Sequence, residues 1–296
     1  MKPVPFGYIR PTTLADACRI LADDDDALVL AGGQTLIPML SMRLARPSQL
    51  VDISRIDGLA GIEVETGQIV IGAMTRQADV ERNPVIATHL PLLAAVMPWI
   101  GHGPTRARGT VGGSVANADP SAEIPLVLAT LGGEIELAHA GGARSIAARD
   151  FFLGPMLTTI QPGECLVAIR LPRWSAGRIG IGFHEVASRR SDFAMVSAAA
   201  QVRLDSAGVC TACAVGIGGA TGKPLALPEA ATALVGTALT DADIDRFAQV
   251  AVTDLSAMTD PHASAAYRKR AAVKLIAQAL GDARDGALTQ ETGGLQ

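Results

Sequence analysis

Apolar residues in the first half of this chain come in short runs, each cut off by glycine, proline or acidic turns. Thr13-Leu14-Ala15-Asp16-Ala17 has the pattern of a Thr-capped helix start, with apolar positions continuing through Ile20 and Leu21. Asp23 to Asp26 close it in a solvated acidic turn. Ala27-Leu28-Val29-Leu30 reads as a short buried strand and Val51-Asp52-Ile53 as another. Between them, Leu36 to Leu44 return to helical spacing, with Pro38 in a first turn where it is tolerated. Residues 1–56 therefore predict a small α/β unit.

A larger unit is expected over 57–176. Glu63-Val64-Glu65 and Gln68-Ile69-Val70-Ile71-Gly72 flank Thr66-Gly67, a hairpin pattern. Helical stretches are predicted from Thr75 to Val80, over Leu92 to Ile100, and over Ile124 to Leu131, the last stopped by Gly132-Gly133. Strands follow at Glu134 to Leu137 and Leu166 to Leu171. The passage Ser175-Ala176-Gly177-Arg178-Ile179-Gly180 reads as a boundary. Beyond it, 177–284 give strands (Ala194 to Leu204, Ala212 to Ile217) and then helices (Ile244 to Met258, Ala263 to Leu280). Strands first and helices after indicate α+β rather than a doubly wound sheet. The polar stretch 285–296 is expected to be a frayed tail.

Composition narrows the class. With 296 residues, 49% hydrophobic and 18% charged, the chain can bury more than one core. A net charge of −4, with no basic cluster among aromatics, gives no reason to expect nucleic acid. No apolar run approaches the roughly 20 residues of a membrane span, and no secretory signal opens the chain. Four cysteines (Cys18, Cys165, Cys210, Cys213) in such a length are no disulfide scaffold, so a cytoplasmic setting is expected.

Two glycine-centred segments carry the chemistry. Ala31-Gly32-Gly33-Gln34-Thr35 lies between a strand and a helix, and Thr110-Val111-Gly112-Gly113-Ser114 lies within an apolar-flanked stretch, 101–125. Paired glycines let an anion lie against backbone N–H groups, and two such loops suit a dinucleotide better than a single phosphate. A tight turn needing glycine only for its geometry explains the first segment equally well. The second is richer, because Asn117, Asp119 and Glu123 follow it closely. N–H donors from 111–114 would meet phosphate oxygens, and Glu123 could accept from ribose or ring N–H groups.

Other motifs point less far. Gly112-Gly113-Ser114-Val115-Ala116 lacks the final glycine of a nucleophile elbow. In Gly216-Ile217-Gly218-Gly219-Ala220-Thr221-Gly222-Lys223 the P-loop spacing fails and Pro224 replaces the hydroxyl residue, which leaves a strand-to-helix turn. Cys210-Thr211-Ala212-Cys213 has redox spacing, but a strand would point its thiols to opposite faces. The histidines show no ligand spacing, so no protein-bound metal is expected. Arg189-Arg190-Ser191-Asp192-Phe193-Ala194 reads as a charged turn ending in an aromatic.

Together these segments resemble the FAD-binding medium subunit of the molybdenum hydroxylases, the group of carbon monoxide dehydrogenase, quinoline and nicotine oxidoreductases and xanthine dehydrogenase. The resemblance covers nearly the whole chain. It rests on Phe6-x-Tyr8-x-x-Pro11, Ala31-Gly32-Gly33-Gln34-Thr35-Leu36-x-Pro38 and Arg106-x-Arg108-Gly109-Thr110-Val111-Gly112-Gly113-Ser114. Further matches are Ala118-Asp119-Pro120-x-Ala122-Glu123-x-Pro125, Gly163-Glu164-x-Leu166, Arg189-Arg190-x-Asp192-Phe193-Ala194 and Tyr267-Arg268.

The resemblance implies an α+β chain: a two-lobed vanillyl-alcohol-oxidase (PCMH)-type FAD-binding fold, then a carbon monoxide dehydrogenase flavoprotein-type C-terminal domain. FAD would be the cofactor of this chain, its diphosphate held by 31–35 and 110–114. Leu36, His102, Ala118, Asp119 and Glu123 complete the cofactor set the resemblance implies, with Leu166 on the adenine side and Phe193 near the isoalloxazine. Ser114 stands where many relatives have Asn, and Glu185 where some have Lys. By the same likeness an iron–sulfur small subunit with [2Fe–2S] clusters and a large subunit with the molybdenum cofactor are partners, in a dimer of heterotrimers. Electrons would pass through FAD to an external acceptor. The four cysteines here could not themselves hold two clusters. A nitrogen heterocycle is the expected substrate of the complex. Carbon monoxide or a purine, or a free-standing flavin oxidoreductase, are the alternatives.

Overall fold

The structure, a computed structural model, describes residues 2–174 and 177–290. It begins with a parallel sheet in the order β1 (Gly7–Ile9), β3 (Gln49–Asp52), β2 (Leu28–Leu30), crossed by α1 (Leu14–Asp23) and α2 (Leu36–Ser41). Thr13 Oγ accepts from Asp16 N at 3.1 Å, as the sequence predicts for a cap. Ala17, Cys18 and Leu21 share the buried face of α1 and pack with Val51 and Ile53.

Next comes an antiparallel five-stranded sheet. Its order is β4 (Ile62–Glu65), β5 (Gln68–Gly72), β10 (Cys165–Pro172), β6 (Glu134–His139), β7 (Gly142–Ala147). The β4–β5 hairpin turns at Thr66-Gly67, with Gly67 at φ +80°. Helices α3 (Gln77–Arg82), α4 (Pro84–His89), α5 (Pro91–Val96), α6 (Gly103–Arg108), α7 (Val111–Asn117) and α8 (Glu123–Thr130) connect β5 to β6. Seven of the eight α8 residues are buried, and Gly132 at φ +69° stops it. After β7, the short α9 (Ala148–Phe151) leads into the ribbon β8 (Phe152–Gly154) and β9 (Leu157–Thr158).

The last unit is an antiparallel sheet, β11 (Arg178–Val186), β12 (Val196–Leu204), β13 (Cys210–Gly218) and β14 (Leu225–Ala226). It is followed by α10 (Pro228–Thr232), α11 (Asp241–Ala251) and α12 (Ala265–Thr289). Arg268, Ala272, Leu275, Ile276, Ala279, Leu280, Ala283 and Ala287 form the buried stripe of α12. The helix lies directly on β11: a Cβ at Gly180 would fall 1.7 Å from Ala283 O, and one at Gly182 2.0 Å from Ala279 O.

Several expectations give way here. Strand β11 starts at Arg178, inside the passage read as a boundary, and Gly180 serves helix packing; Ser175 and Ala176 lie outside the described residues. The expected tail is helical through Thr289, and 291–296 also lie outside them. The segment 216–223 ends strand β13 and turns into β14 rather than into a helix. Finally, a bulge at Thr211 pairs Ala212 with Arg203 but Cys210 with Leu204. One extra residue inverts the facing of the strand, so Cys210 and Cys213 share a side and act on each other's titration, while Cys210 Sγ donates to Ala212 O at 3.4 Å. That proximity raises Cys213 and lowers Cys210.

Candidate functional site

Strand β2 delivers Ala31 to Thr35 at the edge of the parallel sheet. Gly33 adopts φ +70°, a left-handed turn that gathers successive N–H groups on one side. Among the described residues, the amides of Gly32, Gly33, Gln34, Thr35 and Leu36 find no acceptor. Such a run of unspent donors at a half-exposed turn is a nest for an anion.

The second segment meets the first but does not repeat it. A Cβ on Gly32 would lie 2.5 Å from Arg108 O, 2.9 Å from Gly109 Cα and 3.1 Å from Thr110 N, so glycine at 32 is what lets the segments touch. Residues 111–117 are helix α7 and not a loop. Thr110 caps it, its Oγ accepting from Gly113 N at 3.1 Å. Val111 N donates to Thr75 O at 3.0 Å, Gly112 N to Ala73 O at 2.8 Å and Ser114 N to Thr110 O at 3.2 Å. The four donors expected for an anion from 111–114 are therefore all spent within the chain. Gly112 is small because a Cβ would lie 2.5 Å from that of Ala73. Thr110 N alone of this run stays without an acceptor among the described residues, beside Gly32.

A cleft of about 520 Å³ opens at the nest, lined by Ala31 to Gln34 together with Arg10, Asp52, Arg76 and Arg108. A second cleft of about 390 Å³ adjoins it, sharing Ser54 and Arg76. Asp52 accepts from Tyr8 OH, lies 3.3 Å from Arg10 Nε and takes the Ser54 amide at 2.9 Å. Burial pushes Asp52 up, but these bonds outweigh it and hold the carboxyl below its usual range. Arg76 donates to Arg108 O. Arg106, by contrast, is committed to Glu81 (2.8 and 3.0 Å) and to Ile100 O. Sequence reasoning missed Arg10, Asp52, Ser54 and Arg76 as lining residues. They come from three separate stretches of chain, and no local pattern joins them.

The remaining predicted residues fall in other places. Ala118 closes α7 in a left-handed turn (φ 49°) that leads to Asp119 and Glu123. Glu123, half-buried at the start of α8, is pushed up to about 8 by desolvation and by Glu185 and Asp119. Burial raises Asp119, and Glu185 to about 7. Phe193 stands on the turn before β12 and is 74% exposed. Ser121 Oγ, donating to Ala194 O at 2.8 Å, brings that turn to the Asp119–Glu123 segment. His102 is exposed at the start of α6, where its side chain makes no capping hydrogen bond. Leu166 is buried in the central core opposite Leu137. No helix is long and apolar enough to cross a membrane, and no group of three metal-ligating side chains converges, among the described residues.

Comparison with known proteins gives a consistent answer. Residues 4–174 match the family model for the FAD binding domain in molybdopterin dehydrogenase, and 182–283 the CO dehydrogenase flavoprotein C-terminal domain. The chain is 37% identical over 284 residues to the alpha subunit of the 6-hydroxypseudooxynicotine dehydrogenase complex of Paenarthrobacter nicotinovorans, covering 96% of each. It is 37% identical to the carbon monoxide dehydrogenase medium chain of Afipia carboxidovorans, covering 95% of this chain and 97% of that one. Quinoline 2-oxidoreductase from Pseudomonas putida 86 superposes with a TM-score of 0.92 at 34% identity, over 97% of this chain and 100% of that one.

Proposed function

The chain belongs to the FAD-binding medium subunits of molybdenum-containing dehydrogenases, and from that premise we propose that the nest at Gly32–Leu36 holds the diphosphate of FAD. The observation that carries this is the run of five amide donors with no acceptor, turned outward by Gly33 at a cleft edged by Arg10, Arg76 and Arg108. Donors to a charged phosphate contribute about 1.5–3 kcal/mol each, so this run supplies the anchor. Thr110 N adds one more. Residues 111–114 act as the platform behind the nest, fixing α7 so that Asp119, Glu123 and Phe193 stand further along the cofactor's path.

FAD bound there accepts and releases electrons one or two at a time; the chain's own residues bind it, orient it and set its surroundings. We place the chain in a heteromeric complex, between an iron–sulfur subunit that delivers electrons and an external acceptor. The molybdenum cofactor sits on a third chain, in the cytoplasm. The domain division at 57 and 177 is part of the same reading. A nitrogen heterocycle is the substrate class we favour for the complex, because two of the relatives above are named for nicotine-derived and quinoline compounds. A carbon monoxide-oxidising complex is the second reading, supported by the medium-chain likeness.

Purification with neighbouring gene products tests this. A flavin spectrum with co-purified iron and molybdenum is the expected result, and turnover on a heterocycle panel against carbon monoxide separates the two substrate readings. A colourless chain that takes up no FAD refutes the cofactor assignment. A yellow chain that recruits no iron or molybdenum refutes the complex and leaves a free-standing flavoprotein.

A further inference from the structure

Beyond the nest, one group of side chains has no role in holding a diphosphate. Glu185 on β11 pairs with Ser197 on β12, and Ser197 pairs in turn with Gly218 on β13, so the three form one cross-strand row. A Cβ at Gly218 would lie 2.6 Å from Ser197 Oγ and 3.5 Å from Pro120 O, which sets this row against the Asp119–Glu123 segment. Two atoms there are buried with no hydrogen-bond partner: Glu185 Oε2 and Ser197 Oγ, the latter on a residue 1% exposed. Buried polar atoms are rarely left unpaired unless something else completes them.

Among the described residues, no cation acts on these acids. The charged groups acting on Glu123 are Glu185 and Asp119, both of the same sign. His184, the next residue on β11, bonds to Asp282 of α12 at 2.8 Å, on the opposite face. Arg268 gives its two terminal nitrogens to Met195 O, Gly219 O and Asp260, with Nε buried and unpartnered. Arg189 lies 3.6 Å from Asp192 on the exposed turn. Helix α5 carries no titratable side chain, and Asp119 accepts from Ser121 N at 2.9 Å. Two carboxyls, one on the helix start and one on the strand row set against it, that act on each other's charge in a half-buried space cannot both ionise cheaply.

One helix joins the nest to the segment that carries Asp119 and Glu123. Helix α7 spans about 10 Å from Thr110, beside Gly32, to the turn at Ala118.

We propose that Glu123 and Glu185 hold one shared proton in the resting protein and pass it to the reducible ring of FAD; this rests on the FAD reading above. Iron–sulfur donors deliver electrons without protons. Two electrons so delivered leave the ring two charges more negative. Transfer of the shared proton, breaking an O–H bond at the pair and forming an N–H bond on the ring, cancels one of them. Solvent then returns a proton to the pair.

Two measurements on the full chain test this separately. Infrared titration of the FAD-free protein from pH 5 to 10 should show the C=O stretch of a protonated carboxylic acid persisting to pH 7–8, lost or shifted in Glu185→Gln and Glu123→Gln. Absence of any protonated acid above pH 6 in the wild type overturns the proposal, whatever the flavin does. With FAD bound, the flavin midpoint potential plotted against pH should change slope between 7 and 8 in the wild type, and Glu185→Gln should move or remove that break. An unchanged profile in a variant that binds FAD normally overturns the proton transfer. If the acid band is present but FAD does not bind, the FAD reading itself has failed and the transfer falls with it. The wild-type arms stand even if a variant fails to fold.

Discussion

Gly32→Ala is the sharpest perturbation of the nest. The new Cβ would sit 2.5 Å from Arg108 O, with Gly109 Cα and Thr110 N at 2.9 and 3.1 Å. All three are backbone atoms, so no rotamer change relieves the overlap. Ordinary contact begins near 3.4 Å, and the two glycine segments must therefore part by about 1 Å. A shift of that size misaligns Thr110 N and at least one amide of the 32–36 run. Losing one or two donors to a charged phosphate costs about 2–5 kcal/mol. At 1.4 kcal/mol per decade, FAD binding should weaken roughly 30-fold to several thousand-fold.

The assay is a fluorescence titration of FAD into the deflavinated full chain, with far-UV circular dichroism and a thermal melt to confirm folding. Gly103→Ala is the control, since nothing lies within 4 Å of its added Cβ and its φ is ordinary; it should bind as the wild type does. Gly112→Ala separates platform from nest. Its Cβ would strike Ala73 at 2.5 Å, in a residue already buried, so the melting temperature should fall. A folded Gly32→Ala chain that binds FAD within about threefold of wild type, under 1 kcal/mol, would refute the nest.

Other expectations follow from the same geometry. Arg268→Ala should cost about 3–5 kcal/mol in urea unfolding, because Asp260 and two carbonyls lose a guanidinium that is 2% exposed; a change below 1 kcal/mol would contradict the burial. Gly182→Ala should destabilise by at least about 1–3 kcal/mol by prising α12 from β11, and an unchanged melt would show that the helix can slide. Cys165, pushed up to about 12 by burial, should resist an aromatic disulfide reagent at pH 8 until denaturant is added. Glu123 and Glu185 titrate higher folded, at about 8 and about 7, than an unfolded carboxyl near 4.5, so the native state keeps protons the unfolded chain has lost. Their contribution is full below pH 4.5 and declines as pH rises toward 8. Melting temperatures of the FAD-free chain should thus fall over that window and flatten in Glu123→Gln/Glu185→Gln; a wild-type rise would be fatal to this assignment.

What the sequence disclosed, it disclosed through local signals. The Thr13 cap, the Thr66-Gly67 hairpin and the Gly132 stop each depend on residues within a few positions, and each stands where it was read. Glycine is where the reading weakened, because one letter serves several purposes. Gly33 supplies a left-handed turn, Gly32 a contact between two segments, Gly112 a seat on Ala73, and Gly180 a bed for α12. Only the first is local. The other three depend on partners far along the chain, which spacing does not encode. The Cys210–Cys213 pair failed similarly: alternation along a strand is sound until a single bulged residue at Thr211 reverses it.

The candidate site followed the same division. Both glycine segments were found as a pair, and the structure does bring them into contact at Gly32. Equal roles did not follow, since hydrogen bonding decides which amides are free. Val111, Gly112, Gly113 and Ser114 spend theirs on Thr75 O, Ala73 O, Thr110 Oγ and Thr110 O, and so pin α7 to the segment leaving β5. Ala73 is itself fixed, donating to Val167 O of β10 at 2.8 Å. The free donors of 32–36 therefore rest on a base tied into the five-stranded sheet, while they belong to a turn of the parallel sheet. A ligand gripped by the turn also presses on that base, and so its binding should stiffen the join between the two sheets. Hydrogen exchange at Gly112 and Val111 is the place to see it: protection there should rise when FAD binds, and equal exchange with and without FAD would show that turn and platform act independently.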